Sequence, residues 1–223
     1  TSVGHDIIFG LPFQTSAAVT NTILKTKELA PDRLAYYSYA HVPWQSGNGQ
    51  RGFNEMDIPA GKEKRAQYET GKSLLEEVGY IEIGMDHFAK KNDSLYQAMK
   101  DNTLHRNFMG YTASKTKLMI GLGVSAIGDS WTGFAQNVKG VEEYTHLVNE
   151  GILPVYRGHL LSQKDEVVRK HILNLMCNFK TDFESAELSF EEEEQIIFRL
   201  EEMILDDLVE VKKGKLIITE KGK

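Results

Sequence analysis

His5-Asp6-Ile7-Ile8-Phe9-Gly10-Leu11-Pro12 is a short unbroken apolar run closed by Gly10 and Pro12, the pattern of a strand buried on both faces of a parallel sheet. A helix is expected next. Thr15 or Ser16 can cap it, Val19, Ile23 and Leu29 or Ala30 recur at helical spacing, and Pro31-Asp32 ends it. Arg33 to Tyr39 is rich in aromatic residues and reads as a second strand. Lys62 to Val78 reads as a helix with Leu74, Leu75 and Val78 on one side and Gly79 at its end, and Tyr80 to Gly84 as a third strand. Strand, helix, strand, helix, strand at this spacing is the rhythm of a parallel α/β sheet.

Between these elements, His41 to Pro59 has no period and holds Gly47, Asn48, Gly49 and Gly52, so it is a long loop of the kind that tends to carry function. Lys117 to Ile120 reads as a fourth strand leading into Gly121 to Gly128. Near Glu150 the rhythm changes. Ser162 and Asp165 make a capping-box pair opening a helix with Val167, Ile172, Leu175, Met176 and Phe179 on one stripe. A further helix is expected from about Phe190 to Leu205, and Leu208 to Thr219 reads as a hairpin around Lys213-Gly214. The division expected is an α/β domain over 1–150 and a small α+β, winged-helix-like domain over 151–223.

Composition narrows the function classes. Of 223 residues, 41% are hydrophobic and 26% charged, as in ordinary globular proteins. No apolar run reaches the ~18 residues of a membrane span, and the first residues do not read as a signal peptide, so a soluble cytoplasmic protein is expected, with no membrane partner. The net charge of -6 is uneven, since residues 182–210 carry twelve acids against the single Arg199. Neither part has the basic excess that nucleic-acid binding requires.

Each candidate motif has a plainer reading beside it. Gly121-Leu122-Gly123-Val124-Ser125-Ala126, with Glu142 about 20 residues on, matches a dinucleotide fingerprint. The match is weak, because no helical pattern follows, and the glycines read better as close backbone approaches. His41, His87 and His105 lack the i, i+4 spacing of helical metal ligands, so no metal site is expected. Cys177, the single cysteine, lies on an apolar stripe and reads as a buried inert thiol. Glu191 to Glu194 reads as a solvated first helical turn.

Several strings together resemble the oxygen-independent coproporphyrinogen III oxidases, radical S-adenosylmethionine enzymes of haem (porphyrin) biosynthesis. They are Asp6 to Thr15, Asn21 to Asp32, Tyr39-Ala40-His41-Val42-Pro43, Gly84-Met85-Asp86-His87-Phe88-Ala89, Leu104 to Thr112, Gly121 to Ile127 and Cys177-Asn178-Phe179. The resemblance implies the later strands and helices of a partial (β/α) barrel plus the C-terminal domain, and an oxidoreductase that turns two propionates of coproporphyrinogen III into vinyls, giving protoporphyrinogen IX. It implies a 4Fe-4S cluster on a three-cysteine loop that this sequence lacks, so the chain reads as a fragment, inactive alone. It also implies cosubstrate contacts at Asp6, Ala40 and Ile127.

A substrate with four carboxylates needs cations; Arg106 and Arg51 are the candidates by charge and position, with Tyr39 and His41 as wall residues. No catalytic residue is assigned, and the electron donor and acceptor are not legible. The alternative from another class is a haem- or porphyrin-binding chaperone of the same superfamily.

Overall fold

A computed structural model describes residues 2–44, 50, 52–183 and 189–223, apart from the side chain of Phe190. The chain divides into two compact units, 1–100 and 101–223, so the division falls fifty residues before the one expected at 150.

The first unit runs β1 (Gly4–Phe9), α1 (Ser16–Leu29), β2 (Arg33–Ser38), α2 (Gly61–Glu77), β3 (Tyr80–Gly84), β4 (His87–Lys90) and α3 (Ser94–Lys100). Thr15 caps α1 through its hydroxyl, which accepts from the Ala18 amide at 3.2 Å, and Ala30 ends it in the left-handed region ahead of Pro31. β1 and β2 are parallel, with Asp6 opposite Ala35 and Ile8 opposite Tyr37. The sheet order is β1-β2-β4-β3, and β4 runs antiparallel to both neighbours. The expected parallel succession of β2 and β3 is therefore interrupted. A tight turn at Met85-Asp86 folds His87–Lys90 back between them, and Asp86 takes the positive φ that the turn needs.

Alternation along the strands builds the core on one face. Ile7, Phe9, Leu34, Tyr36 and Phe88 meet Val19 and Ile23 of α1 and Leu75 of α2. β1 is an edge strand and is not buried on both faces as expected. Ile7 and Phe9 are buried, whereas Ile8, between them, is 47% exposed. Helices cover one face of β1 only, so a continuous apolar run here does not mean two-sided burial.

On α2 the buried positions are Gln67, Gly71 and Leu75, four residues apart and hence on one face. At Gly71 a Cβ would lie 2.3 Å from the Tyr36 hydroxyl, which fixes glycine there. That hydroxyl donates to the Gln67 carbonyl at 2.8 Å.

The second unit begins with the hairpin β5 (His105–Asn107) and β6 (Gly110–Thr112). A four-stranded antiparallel sheet follows, made of β7 (Leu118–Met119), β8 (Ile127–Ser130), β9 (Gly133–Asn137) and, after α4 (Val141–Asn149), β10 (Val155–Leu160). β10 pairs with β9 across residue 150. The strand expected over Lys117–Ile120 is only β7, two residues long, because the chain then turns into the glycine loop.

Next come α5 (Gln163–Asn178), β11 (Lys180–Asp182), α6 (Phe190–Arg199), α7 (Glu201–Leu205), β12 (Val209–Lys212) and β13 (Lys215–Ile218). The Ser162/Asp165 capping box is formed, and the turn of the terminal hairpin falls at Lys213-Gly214, as expected. Phe183, Val209 and Leu216 form a small core with Leu175, Ile196 and Ile204.

Candidate functional site

In the first unit the helices leave one face of the sheet for a site. Parity places Asp6, Ala35 and His87 in one row across it, with Ile8 and Tyr37 beside them. The Asp6 carboxylate is exposed and has no hydrogen-bond or ion-pair partner among the described residues. His87 is held by ordinary hydrogen bonds. Its Nδ1–H donates to the Met85 carbonyl at 2.8 Å, which leaves Nε2 to accept from the Tyr37 hydroxyl at 3.3 Å. Tyr37 and His87 share the open face with Asp6. The alternation of β2 carries that signal.

The carboxyl ends of β1 and β2 are tied together by Tyr39, whose amide donates to the Phe9 carbonyl at 2.8 Å and whose carbonyl accepts from Lys64 Nζ at 2.8 Å. Tyr39, His41 and Phe53 then form an aromatic cluster, with ring centroids 5.5–6.4 Å apart. Buried within it, His41 Nδ1 has no hydrogen-bond partner among the described residues. Ala40 is exposed, and its carbonyl accepts from Gln50 Nε2 at 3.2 Å. Asp6 is the third residue of β1 and sits opposite Ala35, whereas Ala40 follows the end of β2 at Ser38 by two residues. Arg51 lies outside the described residues.

In the second unit Ile127 opens β8 opposite Gln136. The preceding glycine string is closed on itself. Asn137 Nδ2 donates to the carbonyls of Gly121 and Gly123, both at 2.9 Å, and the Tyr144 hydroxyl accepts from the Gly123 amide at 2.9 Å. A Cβ at Gly121 would come within 2.9 Å of the Ile127 backbone. The glycines therefore serve close backbone packing, and β8 follows them where a dinucleotide fingerprint needs a helix.

Arg106 lies half-buried on β5 beside its cross-strand partner Tyr111, 5.3 Å from the ring centroid. Its Nη1 reaches Met176 Sδ at 3.9 Å, and its buried Nε has no partner among the described residues. Cys177 is buried, and burial pushes its thiol up to about 11, the inert state expected of it. No three His, Cys, Asp or Glu side chains are grouped as metal ligands among the described residues.

Comparison with known proteins gives these pieces a context. No family model matches the chain. It is 40% identical over 189 residues to the oxygen-independent coproporphyrinogen III oxidase of Helicobacter pylori, covering 85% of this chain and 41% of that protein. It is 35% identical over 228 residues to the Escherichia coli oxidase of the same name, covering 100% and 50%. The chain is a homologue of these oxidases.

It spans about half the length of the curated relatives it matches. The solved structure of the Escherichia coli coproporphyrinogen III oxidase, described as a radical SAM enzyme, superposes with a TM-score of 0.90 at 36% identity, covering 100% of this chain and 52% of that one. The mixed α/β fold is therefore shared with a radical SAM oxidase, as the sequence resemblance implied. Among the described residues no helix is long and apolar enough to cross a membrane.

Proposed function

We propose that the chain is part of an enzyme of haem biosynthesis that oxidatively decarboxylates propionates of coproporphyrinogen III to vinyl groups, giving protoporphyrinogen IX. The observation that carries this reading is the likeness to the Escherichia coli oxidase over the whole of this chain, in sequence and in fold. In this reading the first unit supplies later strands of a partial (β/α) barrel, and the end of the second unit a winged-helix-like domain. S-adenosylmethionine, given one electron from a reduced cluster held outside this chain, would supply hydrogen-atom abstraction at a propionate β-carbon, and loss of carbon dioxide with one electron passed to an acceptor would leave the vinyl group.

The chain's own residues bind and orient. The unpartnered Asp6 carboxylate accepts hydrogen bonds from a ribose hydroxyl or an ammonium of the cosubstrate. The Ala40 amide, which makes no hydrogen bond among the described residues, donates to a more distant part of the same extended molecule. Ile127 supplies apolar wall. Arg106 has a buried Nε without a hydrogen-bond partner and no carboxylate partner among the described residues, so its guanidinium is assigned to a substrate carboxylate. Tyr39 and His41 are candidate wall residues for the substrate, and Arg51 is a second candidate cation.

The residues here do not fit the 4Fe-4S cluster. Cys177 is the one cysteine of the sequence, and cluster iron is held by several thiolates, so the ligands would come from the half of the relatives' length that the chain does not span.

Asp6→Ala, in the protein carrying this chain at the full length of its relatives, is expected to weaken S-adenosylmethionine binding about tenfold, the loss of one charge-assisted hydrogen bond. Circular dichroism and melting should not change, since the side chain is exposed. Affinity equal to that of the parent protein would take Asp6 out of the cosubstrate site.

A further inference from the structure

The second unit contains a cavity of about 500 Å³ whose walls include His105, Lys115, Trp131, Glu166, Arg169 and Lys170, a size that suits a small organic molecule. Its charges are only partly compensated. Arg169 is committed, since its Nη2 donates to both Asp129 oxygens at 2.7 and 2.9 Å and its Nη1 to the Ser130 carbonyl at 2.9 Å. Lys115 sits with Nζ 4.6 Å from the Trp131 ring centroid. That contact holds an ammonium at the cavity without neutralising it. Neither Lys115 nor Lys170 has an ion-pair partner among the described residues, and Glu166, one turn before Lys170 on α5, forms no ion pair either. Two free ammonium groups therefore face one carboxylate.

His105 is the second observation. It is only 6% exposed, and its ring makes no hydrogen bond among the described residues, only a ring contact to Trp131 at 6.0 Å between centroids. Burial first, then the charges of Lys115 and Arg169, hold the imidazole below its usual pKa, so near neutral pH it keeps one N–H to donate.

We propose that this cavity binds a small organic molecule through an oxyanion group, carboxylate or phosphate, held between Lys115, Lys170 and His105. None of Asp6, Ala40 and Ile127 lines this cavity.

The test uses the fluorescence of Trp131 in this chain carrying Trp44→Phe, which leaves Trp131 the one tryptophan of the 223 residues. Succinate and inorganic phosphate are titrated separately. A saturable change is expected with at least one of them; saturation by succinate alone makes the group a carboxylate, and by phosphate alone a phosphate. Lys115→Met and Lys170→Met should each weaken binding about tenfold, while Lys213→Met, on the β12–β13 turn, should not alter it. Absence of saturation with both anions, or saturation unmoved by both cavity lysine substitutions, overturns the proposal.

Discussion

Asp129→Ala is expected to lower the stability of the second unit by about 3 kcal/mol, the low end of the ~3–5 kcal/mol for breaking a buried ion pair. The Asp129 and Arg169 side chains are 10% and 15% exposed. Arg169 is fixed against Trp131 and Phe134, 5.3 and 4.9 Å from the ring centroids, and cannot swing out to water without giving up that packing. Alanine leaves the guanidinium with the Ser130 carbonyl alone. The pair joins α5 to β8, so the loss should appear in unfolding of the whole unit. Asp129→Asn keeps an acceptor and should cost less. Urea unfolding followed at Trp131 measures both variants; a shift below about 0.5 kcal/mol for alanine, the size of an ordinary surface change, would mean that the pair contributes nothing net.

Gln67→Leu should have the next largest effect. Gln67 is fully buried, and its side chain bridges two backbone segments. Oε1 accepts from the Gly10 amide at 3.0 Å, and Nε2 donates to the Gln14 carbonyl at 2.7 Å. Leucine has similar volume and a better helix propensity, so packing and helix formation oppose any loss. It nevertheless strands one donor and one acceptor, at roughly 1–3 kcal/mol each. A net loss of about 3 kcal/mol is expected, with looser protection of the Gly10 to Gln14 turn in amide exchange. An unchanged melting temperature would show that water replaces both hydrogen bonds.

These two side chains also mark where the sequence stops being legible. The elements of the first unit that repeat a hydrophobic period were readable from Val19 and Ile23 in α1 and from the apolar run of β1. The buried stripe of α2 was not, because its first two members are Gln67 and Gly71, a polar residue chosen for its two hydrogen bonds and a glycine chosen for its closeness to Tyr36. β4 was missed for a similar reason. His87-Phe88-Ala89-Lys90 is too short to show alternation, and only the turn at Met85-Asp86 brings it between β2 and β3.

In the second unit β10 is exposed along its whole length, so Val155 to Leu160 gives no inside-outside pattern to read. The Ser162 capping box and the Lys213-Gly214 turn were legible because their chemistry is local.

The candidate site was legible unevenly. Asp6, implied by the family resemblance, lies on the open face of a sheet without a partner among the described residues, and Arg106, chosen by charge and position, keeps a buried Nε without a partner among them. Tyr37 and His87 share the Asp6 face through pairing of β1, β2 and β4, a relation set by register. Lys115, Trp131 and Lys170 meet at one cavity from positions far apart in sequence, which no local pattern could signal.

We propose that this chain works within a coproporphyrinogen III oxidase. The most direct measurement is anaerobic incubation of the protein, at the full length of its relatives and with a reduced cluster, with coproporphyrinogen III, S-adenosylmethionine and an electron acceptor. Protoporphyrinogen IX should form together with methionine and 5'-deoxyadenosine. A protein that holds its cluster and binds haem, yet leaves every propionate of the tetrapyrrole intact, would contradict the account and make the chain part of a haem-binding chaperone.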